Sequence, residues 1–308
     1  MSGEAESGRP GAGYALMALA VGMFSTVEVA TKSLGGAVPP LRLAFYRFFF
    51  TGLALTPAAA ILWRRAGRRI GGRDLLLLSG IGVIGVTVAI GLFHLAMNYL
   101  QANVAAVIFS VNPVVVALLA PMMLREKLTR RTLAGAAVGA LGVAAFVGDA
   151  DGVSARTATG VLMMLGSVLG FALYTVMVKR YAPRYGAIEI TGVASLMGGL
   201  LLLPLSLWRE GVPWGPLSVA QGAGVLYLTA VATALAYVCY FLGLGRVDAS
   251  RGAMFFFLKP VLASCFAGLL LGEPFTRRMA VGTAFILVAM FLALVPGRHR
   301  RDAASPAA

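Results

Sequence analysis

Long apolar stretches separated by short polar segments repeat along the whole chain. A helix needs about 20 mostly apolar residues to cross the hydrocarbon core of a bilayer. The pattern predicts helices over 13–34, 41–63, 75–97, 101–124, 132–148, 159–178, 188–208, 219–242, 247–271 and 279–296. The fifth and tenth stretches are short, so the number ten rests partly on an internal repeat. We therefore expect an all-α integral membrane protein with ten transmembrane helices.

Composition supports a membrane location and excludes a soluble globular domain. The 308 residues are 59% hydrophobic and 12% charged, whereas soluble domains are about 45–50% apolar and about 25% charged. The formal charge of +14 could suggest nucleic acid as a partner. The basic residues instead fall in short groups between apolar stretches, as in the cytoplasmic loops of membrane proteins. We expect no nucleic-acid partner.

The distribution of Lys and Arg predicts the orientation in the membrane. With the N-terminus inside, eighteen of the 26 basic residues lie on the inner side and six on the outer side. This bias places both termini in the cytoplasm of a cell with the protein in its inner membrane. The N-terminal tail carries Glu4 and Glu6 and lacks the basic region of a cleaved signal. The first apolar stretch is therefore predicted to stay as a membrane helix.

The two halves of the chain are copies of one another. A shift of 147 residues makes thirteen of 37 positions identical between 101–137 and 248–284, including Glu126 and the Thr-Arg-Arg that follows it. Five helices per half reverse the second half in the membrane, which gives two inverted five-helix repeats, a common transporter architecture. The predicted organisation is a tail at 1–12, a first repeat at 13–148, an extracytoplasmic linker at 149–158, a second repeat at 159–296 and a tail at 297–308.

These repeats resemble the drug/metabolite transporter superfamily, and specifically its EamA family. The resemblance rests on FYRFFF and SVNPVVVALLAPMMLREKLTRRTLAGAAVGALGV in the first half, and on GFALYTVMVKR and LKPVLASCFAGLLLGEPFTRRMAVGTAFILV in the second. It implies ten helices, secondary transport without ATP and a central cavity lined by the first four helices of each half. It also implies efflux of amino acids or related metabolites. Lys259 stands where many relatives have an acidic or neutral residue.

Two proline-containing segments are candidates for the binding site. Asn112–Pro113 and Lys259–Pro260 are related by the repeat and fall near the middle of the fourth and ninth helices. A proline disrupts the hydrogen bond to the preceding turn, and broken helices at matching positions of two halves point to a transport site. The alternative is a pair of structural kinks in packed helices.

Ionisable residues at membrane depth are costly and mark functional sites by default. Lys259 needs a counter-charge, for which Glu28 is one candidate. Alternatively Glu28 pairs with Lys32 one turn away, which leaves Lys259 for an anionic or zwitterionic substrate. Burial disfavours the charged form of a carboxyl group, so Glu28 is also the candidate for carrying a coupling proton. A static ion pair is the simpler interpretation.

Four other side chains are weaker candidates for substrate contact. Arg47 could reach the outer interface or the substrate, and His94 could be an interface residue or a ligand. Tyr174 and Tyr237 could line the cavity or fill space. Near the end of the fourth helix, Glu126 precedes Arg130 by four residues, a spacing that predicts a local ion pair.

No residue set predicts catalysis, a cofactor or a metal. The chain has two histidines and two cysteines, with no metal-ligand spacing and no clustered nucleophile, acid and base. A membrane enzyme acting on a lipid or polyprenyl phosphate, a sensor or assembly subunit, and a passive channel remain alternatives to a transporter. The expected partners are the lipid bilayer and a small-molecule substrate. The sequence leaves the oligomeric state open.

Overall fold

The structure, a computed structural model, describes residues 10–34, 36–100, 102–126, 129–147, 155–211, 216–271 and 277–294, and all regular structure within them is helical. In the first half, α1 comprises Pro10–Phe24 and Val27–Ser33, α2 is Pro40–Arg65, α3 comprises Gly72–Gly82, Val83–Ile90 and Gly91–Ala96, α4 comprises Ala102–Phe109 and Asn112–Leu124, and α5 is Arg130–Val147. In the second half, α6 is Ala155–Tyr185, α7 is Ala187–Glu210, α8 comprises Val219–Thr229, Ala230–Leu235 and Ala236–Leu244, α9 comprises Ala249–Ala253, Met254–Phe257 and Leu258–Leu271, and α10 is Arg277–Leu294.

Eight of the described helices are long and apolar enough to cross a bilayer, namely α1 to α4 and α6 to α9. The described part of α10 carries a shorter apolar stretch, Ala280–Leu292. Large apolar side chains such as Met122, Leu162 and Phe291 are mostly exposed on the outside of the bundle. In water such a surface would promote aggregation, but in a bilayer it faces lipid. The all-helical membrane protein predicted by the apolar pattern is therefore confirmed.

Local signals set several helix boundaries. Pro40 occupies the first turn of α2, where its missing N–H costs nothing. A capping box of Ser218 and Gln221 begins α8. The chain passes from α6 to α7 through Gly186 alone, whose φ of 90° lies in the region that glycine tolerates. Because α6 begins at Ala155, it includes part of the linker predicted over 149–158. The tail predicted at 297–308 lies outside the described residues.

Contacts between helix ends show that repeat-related helices run in opposite directions. Trp63, near the end of α2, donates a hydrogen bond to the carbonyl of Tyr185 at the end of α6. At the same end of the bundle, Glu126 follows α4 and contacts both Lys179 of α6 and the first residue of α9, Ala249. The fourth helix thus ends where its copy, the ninth, begins. This end of the bundle is called the Glu126 end below.

The pairing predicted between Glu126 and Arg130 is replaced by a contact between the halves. The Glu126 carboxylate lies 2.7 Å from Lys179 Nζ and accepts hydrogen bonds from the backbone N–H groups of Ala249 and Ser250. A carboxylate at a helix N-terminus satisfies free N–H groups and favours the helix dipole. Glu126 therefore caps α9 while it joins α4, α6 and α9.

The main helix pairs each join a helix of the first half to a helix of the second half. α2 packs along α7, α5 along α10, and α1 along α8, while α3 and α4 pack on α6. At Gly52 and Gly199 the backbones of α2 and α7 approach so closely that an added Cβ would overlap backbone atoms of the facing helix. These glycines let the helices approach far closer than larger residues allow.

Five of the described helices are interrupted or widened along their length. α4 breaks at Ser110–Val111, directly before Asn112–Pro113. α9 passes through a 3₁₀ segment, Met254–Phe257, just before Lys259–Pro260. α3 and α8 contain π-helical segments that begin at Val83 and Ala230, positions related by the 147-residue shift. α1 breaks at Ser25–Thr26, whereas its copy α6 is continuous. Irregular segments thus precede both prolines, and the break in α1 has no counterpart in the sequence pattern.

Candidate functional site

Glu28 and Lys259 meet in the interior of the bundle. Lys259 Nζ lies 2.6 Å from Glu28 Oε1, and the two side chains are 5% and 3% exposed. The approach is that of an ion pair but departs from the angles of a regular hydrogen bond, and Glu28 Oε2 has no hydrogen-bond partner in the described part of the chain. Of the two pairings considered from the sequence, the structure forms the one between the halves. The side chain of Lys32 lies outside the described residues.

Two aromatic rings complete the surroundings of the lysine. Lys259 Nζ lies 4.8 Å from the ring centroid of Phe109 and 5.2 Å from that of Phe93. A cation within about 6 Å of an aromatic face is attracted by the ring quadrupole. One carboxylate and two rings therefore surround the ammonium group, and all three come from the first half of the chain.

Arg47 lies in the interior and does not extend to the end of α2. The residue is 4% exposed. Its Nε donates to Thr233 Oγ1 at 2.9 Å, and its Nη1 lies 3.3 Å from His94 Nε2. A guanidinium has five N–H donors, and these contacts use two of them. Thr233 in turn donates to the carbonyl of Leu228, which fixes the direction of its lone pairs toward Arg47.

The partners of His94 determine which of its ring nitrogens carries the proton. Nδ1 lies 3.0 Å from the carbonyl oxygen of Ile90, which can only accept, so Nδ1 is the donor. Arg47 can only donate, so Nε2 is the acceptor. His94 is therefore the neutral tautomer with the proton on Nδ1, and it adds no charge to the site.

The two π-helical segments supply both supports of Arg47. Thr233 lies in the π segment of α8, and Ile90, which holds His94, ends the π segment of α3. A π segment widens a helix by one residue and re-aims the side chains that follow, and such segments occur frequently at functional sites. The guanidinium is thus held between repeat-related irregularities, one from each half.

A small cavity lies among these groups. Its volume is about 40 Å³ as space for the centres of water molecules, which is room for roughly three waters. Its walls are mostly aromatic and include the two cations but neither Asn112 nor Tyr174; they are Phe24, Val27, Arg47, Ile90, Phe93, His94, Phe109, Phe171, Tyr237, Phe256 and Lys259.

The described charges around the cavity do not cancel. Glu28 and Lys259 neutralise each other, His94 is neutral, and no carboxylate among the described residues forms an ion pair with Arg47. One net positive charge is therefore buried on a guanidinium that keeps unused donors. Burying an uncompensated charge is expensive, so an anionic group from outside the chain would find a strongly favourable partner here.

The structure brings together five of the seven candidate binding residues. Glu28, Arg47, His94, Tyr237 and Lys259 are within or beside the cavity. Asn112 and Tyr174 are fully buried outside its lining. Asn112 Nδ2 donates to the carbonyl of Val168 at 3.4 Å, while Asn112 Oδ1 has no hydrogen-bond partner in the described structure. Pro113 and Pro260 are buried in α4 and α9.

Sequence reasoning missed Thr233, Phe93 and Phe109. Thr233 is one of two threonines in an apolar helix, and such a residue usually bonds its own backbone. Its contact with Arg47 joins residues 186 positions apart. Phe109 was visible as a repeat identity with Phe256, but nothing local distinguishes a ring that meets a cation from one that fills the core.

Toward the Glu126 end, the cavity is closed by rings and then by an ionic contact. Phe171, Tyr174, Tyr240, Phe241 and Phe256 pack with ring centroids 5.1–6.4 Å apart. About two turns further along α6 and α9, the Glu126–Lys179 pair joins the helices. Glu28, Arg47 and His94 instead lie within about two turns of the opposite ends of their helices. The cavity is therefore nearer the end away from Glu126.

Within the described ranges, no group of three or more His, Cys, Asp or Glu residues could hold a metal ion. The polar groups at the cavity are two cations, one carboxylate, a neutral imidazole and hydroxyls. Such a set of groups could bind a charged small molecule that forms hydrogen bonds.

Comparison with known proteins gives the family. The profile of the EamA-like transporter family matches the chain twice, over residues 11–148 and 158–295. An "uncharacterized transporter" of Clostridium kluyveri is 26% identical over 296 residues, covering 94% of this chain and 95% of the relative. A "probable terminal-alkyne amino-acid exporter" of Streptantibioticus cattleyicolor is 29% identical over 280 residues, covering 88% of this chain and 93% of the relative.

A solved structure shares the fold. A protein crystal structure superposes with a TM-score of 0.74 over 92% of this chain and 96% of the other, at 20% sequence identity. At that identity the likeness concerns the arrangement of helices and says nothing of the substrate.

Proposed function

The chain belongs to the EamA-like transporter family, and we propose that it is a secondary active transporter that exports amino acids or related carboxylate-bearing compounds across the cytoplasmic membrane. Membership of this family makes the protein a membrane transporter. Its substrate, the direction of transport and the mechanism are our proposals. The proposed substrate is small, carries a carboxylate and has an apolar body. From the sequence, Lys259 was a candidate to bind an anionic or zwitterionic substrate; this proposal instead assigns the substrate carboxylate to Arg47.

The single observation that supports the substrate class is the unbalanced charge of Arg47. Its guanidinium is 4% exposed and is braced by Thr233 through Nε and by His94 through one N–H of Nη1, and these two contacts leave three of its five N–H donors unused. An arginine fork binds a planar carboxylate through two parallel hydrogen bonds. The braces hold the guanidinium in place before the substrate arrives, which lowers the conformational entropy lost on binding.

The cavity walls support an apolar body for the substrate. Phe24, Phe93, Phe109, Phe171 and Phe256 face the cavity, and aromatic surfaces favour apolar or cationic groups. The relative from Streptantibioticus cattleyicolor is named as an exporter of a terminal-alkyne amino acid, a compound with a carboxylate and an apolar end. That name supports the same class here.

We propose that transport follows alternating access by two inverted five-helix repeats, with α5 and α10 completing ten transmembrane helices. The opposite directions of α4 and α9 support this arrangement. The arginines between α2 and α3 lie at the Glu126 end, and the excess of basic residues there supports a cytoplasmic location for that end and for both termini. Since that end is closed, the described state would release its substrate toward the other side.

A proton on Glu28 is the proposed coupling ion. The carboxylate is 3% exposed and its Oε2 has no hydrogen-bond partner among the described residues, so this oxygen is available to take a proton. Uptake into liposomes that ignores an imposed pH gradient would remove the proton from this proposal. The oligomeric state is not part of the proposal.

The proposal is tested by reconstituting the full chain in liposomes. Vesicles are loaded with an unlabelled neutral amino acid, and the same amino acid in labelled form is added outside. If the protein recognises this amino acid, the vesicles should accumulate the label by exchange. Arg47→Gln should lower this exchange tenfold or more, because it removes the charge and the fork, and Arg47→Lys should recover only part of it. Arg184→Gln is the matched control, since Arg184 is largely exposed at the Glu126 end. Equal exchange by Arg47→Gln and the unmodified protein would refute the assignment.

The same assay separates transport from the rival classes. A membrane enzyme would consume its substrate, a sensor or assembly subunit would move none, and a channel would not accumulate a solute against its gradient. The family membership points to transporters, which agrees with the expectation that the protein is not an enzyme.

A further inference from the structure

The surroundings of Lys259 have the composition of a receptor for a primary amine. Its ammonium group contacts one carboxylate at 2.6 Å and two aromatic rings at 4.8 and 5.2 Å. Carboxylates and aromatic faces are the two kinds of group that recognise ligand cations in proteins. The three groups Glu28, Phe93 and Phe109 are called the amine cage below.

The cage and its lysine come from different halves of the protein. Glu28, Phe93 and Phe109 lie on α1, α3 and α4, while Lys259 reaches them from α9. The repeat counterparts of Lys259 and Glu28 are Asn112 and Thr175, two uncharged residues that are fully buried. The charged pair is thus specific to one of the two equivalent positions, and the packing of the fold does not require a charge there.

Hydrogen bonds from the described residues do not saturate the carboxylate of the cage. Glu28 Oε2 is buried without a hydrogen bond among the described residues, and the contact of Oε1 with Lys259 departs from hydrogen-bond angles. Both Lys259 and Arg47 line the same cavity, so one small molecule could reach both the cage and the guanidinium. An α-amino acid carries an ammonium and a carboxylate a few ångströms apart, and each would meet the opposite charge.

We propose that Glu28, Phe93 and Phe109 form a binding subsite for a primary ammonium group, which Lys259 fills in the described state and from which the ammonium group of a substrate displaces it. Lys259 is then an internal competitor and not the anchor of the substrate carboxylate. This inference rests on the proposed function for the identity of the substrate, whereas the chemistry of the cage stands independently of transport.

The first experiment fills the cage with a free amine. Lys259→Ala removes the Cγ, Cδ, Cε and Nζ atoms, and n-propylammonium has the same three carbons and nitrogen. Added to the purified full-length variant in detergent, n-propylammonium should raise the Tm, whereas the isosteric neutral 1-propanol should not. The unmodified protein, whose cage is filled, and the Lys259→Ala/Glu28→Gln variant should not respond. No rise for Lys259→Ala, or an equal rise with 1-propanol, would overturn the subsite.

The second experiment tests whether the cage recognises the ammonium group of the substrate. It uses a variant that retains the Glu28–Lys259 ion pair. Phe109→Leu removes one ring from the cage, and Phe171→Leu is the control because Phe171 lines the cavity without contacting the ammonium group. Liposome exchange of L-leucine is compared with that of its deaminated analogue, 4-methylpentanoate. Phe109→Leu should raise the half-saturation concentration for leucine several-fold more than that for the analogue, and Phe171→Leu should affect both equally. Equal effects of Phe109→Leu on the two acids would refute substrate recognition by the cage.

Displacement of the lysine predicts a gain of affinity. When an internal group occupies a subsite, the apparent affinity for a ligand is the intrinsic affinity multiplied by the fraction of molecules in which the subsite is free. Where Lys259→Ala folds, its affinity for leucine should rise about tenfold or more, with little change for 4-methylpentanoate; a loss of leucine exchange would overturn the competitor role. A Tm response to n-propylammonium without exchange of any amino acid would instead refute the proposed function and leave the amine cage standing.

Discussion

Replacing one partner of the Glu28–Lys259 pair should destabilise the protein more than replacing both partners. At 2.6 Å, two unit charges attract by about 6 kcal/mol at an effective dielectric constant of about 20, and this gain offsets the cost of taking both charges out of water. Glu28→Gln or Lys259→Met alone leaves one buried charge without its partner, which destabilises proteins by about 3–5 kcal/mol. The double variant Glu28→Gln/Lys259→Met carries neither charge and should recover most of that loss.

The assay is a double-mutant cycle on the purified chain. Unfolding is followed by loss of helical circular dichroism during titration with SDS and during heating. On the scale of soluble proteins of about 150–250 residues, a loss of about 4 kcal/mol lowers the Tm by about 8–16 °C. Arg184→Gln is the matched control, because its ion pair with Asp74 is at the surface, where Arg184 is 70% exposed, and surface pairs contribute little.

The result that would refute this reasoning is additivity. If the double variant is destabilised by the sum of the two single variants, the charges do not depend on one another, and Lys259 is not neutralised by Glu28 in the folded protein. The amine cage would then lose its internal ligand as well.

Three further predictions concern other contacts of the fold. Thr233→Val keeps the shape of the side chain but removes the acceptor of Arg47 Nε; since hydrogen bonds to charged groups contribute about 1.5–3 kcal/mol, the half-saturation concentration for a carboxylate substrate should rise about tenfold or more, and an unchanged value would contradict the brace. Glu126→Gln should speed hydrogen exchange at the N-terminus of α9, because the cap loses its charge; mass spectrometry of the exchanged protein would show no change if the cap is dispensable. Gly52→Leu should abolish the folded protein because its side chain would overlap the backbone of α7, whereas Gly22→Leu, at a position with no atoms within 4 Å of an added Cβ, should fold, as size-exclusion profiles would show.

The interior contacts also explain which candidate residues the sequence could identify. Glu28, Arg47, His94 and Lys259 were identifiable because an ionisable side chain in an apolar stretch is expensive wherever the helices pack. Asn112 and Tyr174 were named on repeat position and residue type alone, and those signals do not determine which side of a helix faces the cavity. Both lie outside its lining, and their part in transport stays a prediction.

The sequence by itself determined that the chain inserts in a membrane as helices and that its halves are duplicates. Both properties depend on local or repeated patterns, namely the length of apolar stretches and the identity of residues 147 positions apart. A bilayer removes the competing option of exposed polar backbone, so these patterns suffice without knowledge of the packing.

Only the tertiary structure decided which charges meet. Glu28 had a sequence neighbour, Lys32, at helical spacing, yet the contact observed is with Lys259, 231 residues away. The break in α1 at Ser25–Thr26 and the π segments of α3 and α8 turn side chains away from the directions of a regular helix. Such irregularities form where packing between the halves offsets the lost helix geometry, and a pattern along one chain does not contain that information.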